Sequence, residues 1–338
     1  MVKQELLFDK KYLIGGIVFF GIYLFVFVPI LNTSFFPQSD DVWYILDNPQ
    51  LKNFNFIEVF TKSYQGQYSP LNTLFLYWIK QSFGLSAFYF HLYSLALHTI
   101  NGVLVFFIVK KLIRSDNDKL FIPFFTSVLF LIHPLQIEAV AWISASKWVS
   151  VTTFMLLSIL FYLQFRLHSF TICILYSIIC FILAILCKEI GVVLPMLLFI
   201  IEAFFLKTKF SSLKRLLPYF IASLTFGIFT FYIPIFQPGL QAVKMNSVSS
   251  FANDSYLSIR CTGDYLFYLF IPLYRREVLP LLTGQVNVLP SILSALLVSI
   301  SVLLYFFTNE KTLIGCFLFF LCCIFLHYLL FLISVQYC

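Results

Sequence analysis

Long apolar runs separated by short charged loops recur along the chain, from LIGGIVFFGIYLFVFVPIL near its start to LIGCFLFFLCCIFLHYLLFLISV near its end. Runs of this length cannot all be hidden inside one water-soluble core. A chain that is 61% apolar and only 11% charged has less than half of the charged share of about 25% that ordinary globular domains carry. In lipid, every backbone amide must find a partner within the protein, so spanning elements are helices or closed barrels. Runs of about 20 residues select helices. The expected fold is therefore an all-α polytopic membrane protein.

Nine or ten transmembrane helices are expected. The first, about 12–31, follows Lys10 and Lys11, and it is too long for a signal-peptide core of about 7–15 residues. Further spans are expected near 88–109, 120–133, 149–165, 169–187, 191–206 and 216–235, with residues 262–274 crossing or dipping, and two more near 288–307 and 312–335. The net charge of +7 is no nucleic-acid signal. Lys3, Lys10, Lys11, Lys110, Lys111, Arg114, Lys119, Arg166, Lys207, Lys209, Lys214 and Arg215 sit at the ends of apolar runs, where basic residues mark the cytoplasmic side. The cysteines lie mostly within apolar runs and show neither a disulfide framework nor metal-ligand spacing.

With that orientation, residues 32–86 form a large first outer loop. Within it FIEVFTKSY and PLNTLFLYWIKQSF space their apolar residues at three to four, the pattern of interfacial helices. The same orientation returns charge to the outer side three times: Asp40 with Asp41, His133 with Glu138, and Lys188 with Glu189. An ionisable group at a membrane costs about 2.5–3.5 kcal/mol on insertion scales, so each islet calls for a reason. A carboxylate in a partly dry pocket can accept a proton from an attacking hydroxyl; equally, Asp40–Asp41 can cap the helix beginning near Val42. In HPLQIEAVAWISASKW, Pro134 starts or breaks a helix at His133. If that helix continues, Glu138 and Trp142 share a face, with Lys147 beyond; the other reading is an interfacial helix anchored by Trp142 and Lys147. Lys188–Glu189 also fits a helix-end ion pair. His91 and His98 share one side of the second span and fit local hydrogen bonding.

DDVWYILDNPQL, YSPLNTLFLYWI, FHLYSLALHTIN, HPLQIEAVAWIS and CKEIGVVLP follow one another in this order. The ordered set resembles the membrane part of the tetratricopeptide-bearing O-mannosyltransferase-like proteins, of the GT-C class of glycosyltransferases, over about 10–206 and more loosely to about 310. The resemblance implies a single transmembrane glycosyltransferase-like domain over 1–338. Its active site would face outward and transfer a sugar from a polyprenyl or dolichyl phosphate to the hydroxyl of a protein, glycan or lipid, with inversion. It implies Asp40 and Asp41 as the acidic catalytic motif, and His133, Glu138, Lys147, Lys188 and Glu189 as the donor-phosphate or leaving-group residues. Tyr68, His91 and Trp142 are further substrate-pocket candidates. Where the family reads Gly-Arg-Lys/Ala-Asp/Glu, this chain has Ala145-Ser146-Lys147-Trp148, so Lys147 is the remaining cation. The expected partners are the lipid-linked sugar, the hydroxyl acceptor and membrane lipids, with no nucleic acid. No metal ligand set is expected, although the aspartate pair leaves a divalent cation (Mg or Mn) open. A lipid-linked sugar transporter or flippase, and a non-catalytic assembly subunit, are the alternatives. The expected location is a bacterial inner membrane, or the endoplasmic reticulum membrane in a eukaryote, where the triplets at Asn32 and Asn253 would be glycosylation acceptors.

Overall fold

In the computed structural model, residues 20–37, 39–113, 120–206, 208 and 214–232 are described. The regular elements among them are helical, apart from one isolated bridge between Tyr64 and Gln67. In chain order they are α1 (Phe20–Asn32), α2 (Pro49–Lys52), α3 (Phe56–Thr61), α4 (Pro70–Phe83), α5 (Ala87–Leu112) and α6 (Phe121–Ile132). Then follow α7 (Gln136–Ala141), α8 (Ser146–His168), α9 (Ile172–Cys187), α10 (Leu194–Ile200) and α11 (Leu217–Tyr232). The interfacial helices expected in the first loop correspond to α3 and α4. The spans expected after residue 235, the first residues of span one, Cys261 and Asn253 lie outside the described residues.

Among the described residues two helices are long and apolar enough to cross a bilayer, α5 and the continuous stretch Ile143–His168, each of 26 residues. At 1.5 Å per residue each reaches about 39 Å, against a hydrocarbon core of about 30 Å. With 12 residues, α6 reaches only about 18 Å by the same rise.

The chain divides into two compact units, one holding residues 20–59 with Pro70–Lys188, the other Phe60–Ser69 with residues 189–232. In the first, α8 packs along α5 and α9, and α6 along α5. The polarity of α5 is inverted relative to a helix in water. Its buried positions include His91, Ser94, His98 and Asn101, whereas Phe88, Leu92, Ile100, Val103 and Phe107 are exposed. Two of these buried polar side chains are matched by carbonyls of neighbouring segments. His98 Nε2 donates to the Leu131 carbonyl at 3.1 Å, and its ring sits among Tyr23, Phe27 and Phe130. Asn101 Nδ2 donates to Val149 O at 3.2 Å.

Small residues set the closest crossings. A Cβ on Gly102 would fall 2.6 Å from Leu131, so glycine lets α6 lie against α5, and Ser127 Oγ donates to Gly102 O at 2.7 Å across that contact. Between α8 and α9, Ser158 and Ser177 each donate to the other's carbonyl at 2.7 Å. Small polar residues with interhelical hydrogen bonds are the usual glue where lipid removes the hydrophobic incentive.

In the second unit the expected single span over 191–206 is broken. It consists of a 3-10 turn (Glu189–Val193), α10, and a π-turn (Ile201–Phe205). Pro195 explains the first break: it lacks an N–H and clashes with the carbonyl four residues back, so it sits in the first turn of a new helix. At the π-turn, Glu202 is fully buried and takes the Thr208 hydroxyl on its carboxylate.

Candidate functional site

Asp41 stands at the head of a π-turn (Val42–Leu46), where an aspartate would ordinarily cap its own helix. It does not. Its carboxylate points away and accepts two backbone N–H bonds, from Phe36 at 3.1 Å and from Ser144 at 2.8 Å. Asp41 is fully buried, while Asp40 beside it is only partly so. A buried carboxylate is tolerable when fixed N–H dipoles replace its water. The bond to Ser144 joins the first expected islet to the end of the second, across 103 residues of sequence. Asp40 is thereby held next to an immobilised neighbour.

The second islet is a chain of turns. His133 ends α6, and its carbonyl accepts from Gln136 N at 2.9 Å while its ring Nδ1 accepts from Leu135 N at 3.2 Å. With Nδ1 accepting, the ring nitrogen of His133 left to donate is Nε2. Glu138 lies in the first turn of α7. The expected shared helical face of Glu138 and Trp142 is not formed, because α7 ends at Ala141 and Trp142 is its extended C-cap, with Trp142 N on Glu138 O at 3.2 Å. The 3-10 turn Ile143–Ala145 that follows contains the N–H that Asp41 holds.

Lys147 and Lys188 are both more than nine-tenths buried. The Lys147 ammonium lies 4.2 Å from the centroid of Tyr44, and that of Lys188 lies 4.3 Å from Trp148. Desolvated cation–π contacts of this kind contribute about 2 kcal/mol. They place one cation from each of the last two islets on rings flanking the start of α8. His91, also buried, binds Thr33. The Thr33 hydroxyl already donates to Ile30 O at 2.7 Å, so His91 Nε2 is the donor in the 3.0 Å contact between them.

In the second unit, Glu189 Oε1 accepts from Tyr68 N at 2.7 Å, and the Tyr68 hydroxyl donates to Phe60 O at 2.8 Å. Tyr68 packs against Phe226 and Phe229, and burial pushes its phenol up to about 12. Glu189 thus pins the segment Phe60–Ser69, which itself turns through Gln65 and Gly66 in left-handed conformation.

One group of residues was not singled out from the sequence. Ser150 Oγ meets Tyr93 Oη at 2.8 Å and Asn72 Oδ1 at 3.1 Å, linking α8, α5 and α4 in a buried polar cluster. The only sequence signal was an asparagine inside the apolar PLNTLFLYW. Among the described residues no three His, Cys, Asp or Glu side chains are grouped as a metal site.

Relatives with established names enter at this point. The chain is 28% identical over 135 residues to Protein O-mannosyl-transferase TMTC1 of Homo sapiens, a match covering 36% of this chain and 15% of that protein. It is 27% identical over 139 residues to Protein O-mannosyl-transferase F38B6.6 of Caenorhabditis elegans, covering 38% and 20%. It is 27% identical over 135 residues to Protein O-mannosyl-transferase TMTC1 of Mus musculus, covering 36% and 14%. The matched stretch is thus a fifth or less of each relative's length. No family model matches the chain, and no solved structure matches it. These distant similarities support an O-mannosyltransferase-like relationship.

Proposed function

We propose that the chain is a multi-pass membrane glycosyltransferase that moves a sugar from a polyprenyl or dolichyl phosphate to an acceptor hydroxyl. The observation that carries this reading is the buried Asp41–Ser144 bond, which sets the acidic loop against the turn that leads into Lys147. The relatives' names give the reaction class. The inverted polarity of α5, with Phe88, Leu92 and Phe107 outward and His91, Ser94 and Asn101 inward, supports lipid as its solvent.

In this mechanism Asp40 accepts the proton of the acceptor hydroxyl as its oxygen bonds to the anomeric carbon. The bond from that carbon to the phosphate oxygen breaks on the opposite side. The lipid phosphate leaves with the electron pair, and the configuration inverts. Asp41 positions Asp40 rather than reacting. Lys147 and Lys188 offset the charge developing on the phosphate, and His133 can add a hydrogen bond through Nε2. Such electrostatic stabilisation is usually the largest catalytic contribution.

The test is incubation of purified protein with a panel of polyprenyl-phosphate sugars and a hydroxyl acceptor, scoring donor loss and product. Asp40→Asn, nearly isosteric, should abolish transfer while expression and unfolding stay unchanged. Undiminished transfer by that variant would remove Asp40 as the base, and no turnover of any donor by the parent protein would remove the enzyme reading.

A further inference from the structure

Two neighbouring residues of α5 grip the start of the first loop. His91 Nε2 donates to Thr33 Oγ1 at 3.0 Å, and the Thr33 hydroxyl donates in turn to Ile30 O at 2.7 Å. Beside it, the Phe90 ring meets that of Phe35 edge-on, with centroids 5.6 Å apart. Thr33 is the extended C-cap at which α1 ends, so both holds fall where the chain leaves its first helix.

The next residue, Phe36, gives its N–H to Asp41 Oδ2 at 3.1 Å, and its carbonyl accepts from Ser39 Oγ at 2.9 Å. Asp41 N donates to the same Ser39 Oγ at 3.2 Å. Phe36 is thus tied to both Ser39 and Asp41, and what fixes it fixes them. The two backbone donors on the Asp41 carboxylate therefore have different anchors. Ser144 N belongs to the turn before α8, whereas Phe36 N hangs from α5 through Phe35 and Thr33.

His91 itself is 1% exposed. Its Nε2 is spent on Thr33 and its Nδ1 is enclosed, so neither nitrogen is presented to a substrate. The Asp41 charge nevertheless acts on the ring, which places the imidazole close to the acid pair. An ionisable side chain buried in a membrane helix points to function. Fastening α1 to α5 does not require it, because Tyr23 Oη already meets Thr99 Oγ1 at 2.8 Å on the same two helices.

We propose that His91 is a positioning residue for the acid pair: by holding Thr33 it sets the Phe36 N–H that fixes Asp41, and through Asp41 the placement of Asp40. The consequence for catalysis rests on the glycosyl-transfer reading; the placement of Asp41 does not.

The experiment uses the full chain in lipid nanodiscs and two readouts. One is amide hydrogen exchange at residues 36 and 144; the other is transfer from dolichyl-phosphate mannose to a threonine-containing peptide. His91→Ala should speed exchange at Phe36 about two- to tenfold, the loss of one neutral hydrogen bond. It should lower kcat about tenfold or more by misplacing the base, with KM for the donor unchanged. His91→Gln, whose amide still donates to Thr33, should restore most of both. Thr33→Val, isosteric at an exposed position, should reproduce His91→Ala, and the double variant should be no worse than either. It also carries the test if His91→Ala fails to fold. Tyr23→Phe, which cuts the other bond between α1 and α5, should alter neither readout.

Unchanged exchange at Phe36 in both His91→Ala and Thr33→Val overturns the proposal. Equal acceleration by Tyr23→Phe does so too, by making His91 an ordinary helix fastener. A raised donor KM with unchanged kcat would make His91 a substrate contact and likewise end it. Accelerated exchange in a protein that transfers no sugar would sink the enzyme reading and leave the positioning of Asp41 standing. Accelerated exchange with unaltered kcat in an active protein would spare the enzyme reading and break the link from His91 to Asp40.

Discussion

Asp41→Ala removes the one carboxylate that ties the first loop to the start of α8, and its cost can be worked from the two bonds it makes. The Ser144 N–H bond is buried, 2.8 Å long and charge-assisted. A hydrogen bond to a charged group contributes about 1.5–3 kcal/mol, and a buried donor left unmatched costs a similar amount. The Phe36 N–H bond is longer, at 3.1 Å, and only part-buried. Water can replace it, leaving about 0.5–1 kcal/mol at stake. Together they give about 2–4 kcal/mol. Asp41→Asn should recover at most about half of this, because its amide nitrogen would face one of the two backbone donors. The assay is reversible unfolding in mixed micelles, titrated with SDS and followed by tryptophan fluorescence. Asp40→Ala is the control, since a partly exposed side chain outside such a network is expected to shift stability by within about 0.5 kcal/mol. If Asp41→Ala unfolds within about 0.5 kcal/mol of the parent, the carboxylate does not hold the two segments together, and the positioning of Asp40 loses its physical basis.

Four further outcomes follow from the packing. Gly102→Ala should cost about 1–3 kcal/mol by forcing Leu131 off its seat, and the double variant with Leu131→Ala should regain part of it in the same titration. Ser158→Ala and Ser177→Ala should each cost about 0.6–1 kcal/mol, and a double-mutant cycle should show coupling, since each hydroxyl donates to the other's carbonyl. Glu189→Ala should expose residues 60–69 to limited proteolysis and hydrogen exchange, while Glu189→Gln, which keeps an oxygen for Tyr68 N, should largely restore protection. The Tyr68 phenol is raised to about 12 by burial. Its neutral form therefore stabilises the fold below the unfolded value of about 10, and that contribution is lost as pH rises from about 10 through 12. Tyr68→Phe should flatten this part of the alkaline unfolding curve.

The helix positions were legible in the sequence because uninterrupted apolar runs leave the backbone little choice: α5, α6, α8 and α9 fall within a few residues of the expected spans. The break at Pro195 was legible in principle, since proline rarely sits inside a helix. The π-turn beyond it, with its buried Glu202, is not encoded by periodicity. At the candidate site, the charged residue types stood out against the apolar background, but their partners did not. Asp41 reaches a backbone N–H, Lys147 and Lys188 reach aromatic rings, and His133 bonds into its own turn. None of these choices follows from residue spacing. Trp142 departs from α7 as its extended C-cap, two residues before the amide that meets the demand of an acid far upstream.

That demand bears on how the chain is made. When the ribosome has produced Asp41, the amide that will hold it has still to be synthesised, 103 residues later. Throughout that interval the acid has only the Phe36 N–H and solvent as partners, and burying it half-matched would cost several kcal/mol. The loop that carries it must therefore stay in contact with water while six helices, α2 to α7, are laid down. Only when the turn before α8 emerges can the carboxylate be drawn inward, so closure of this contact waits on every helix from α2 to α7.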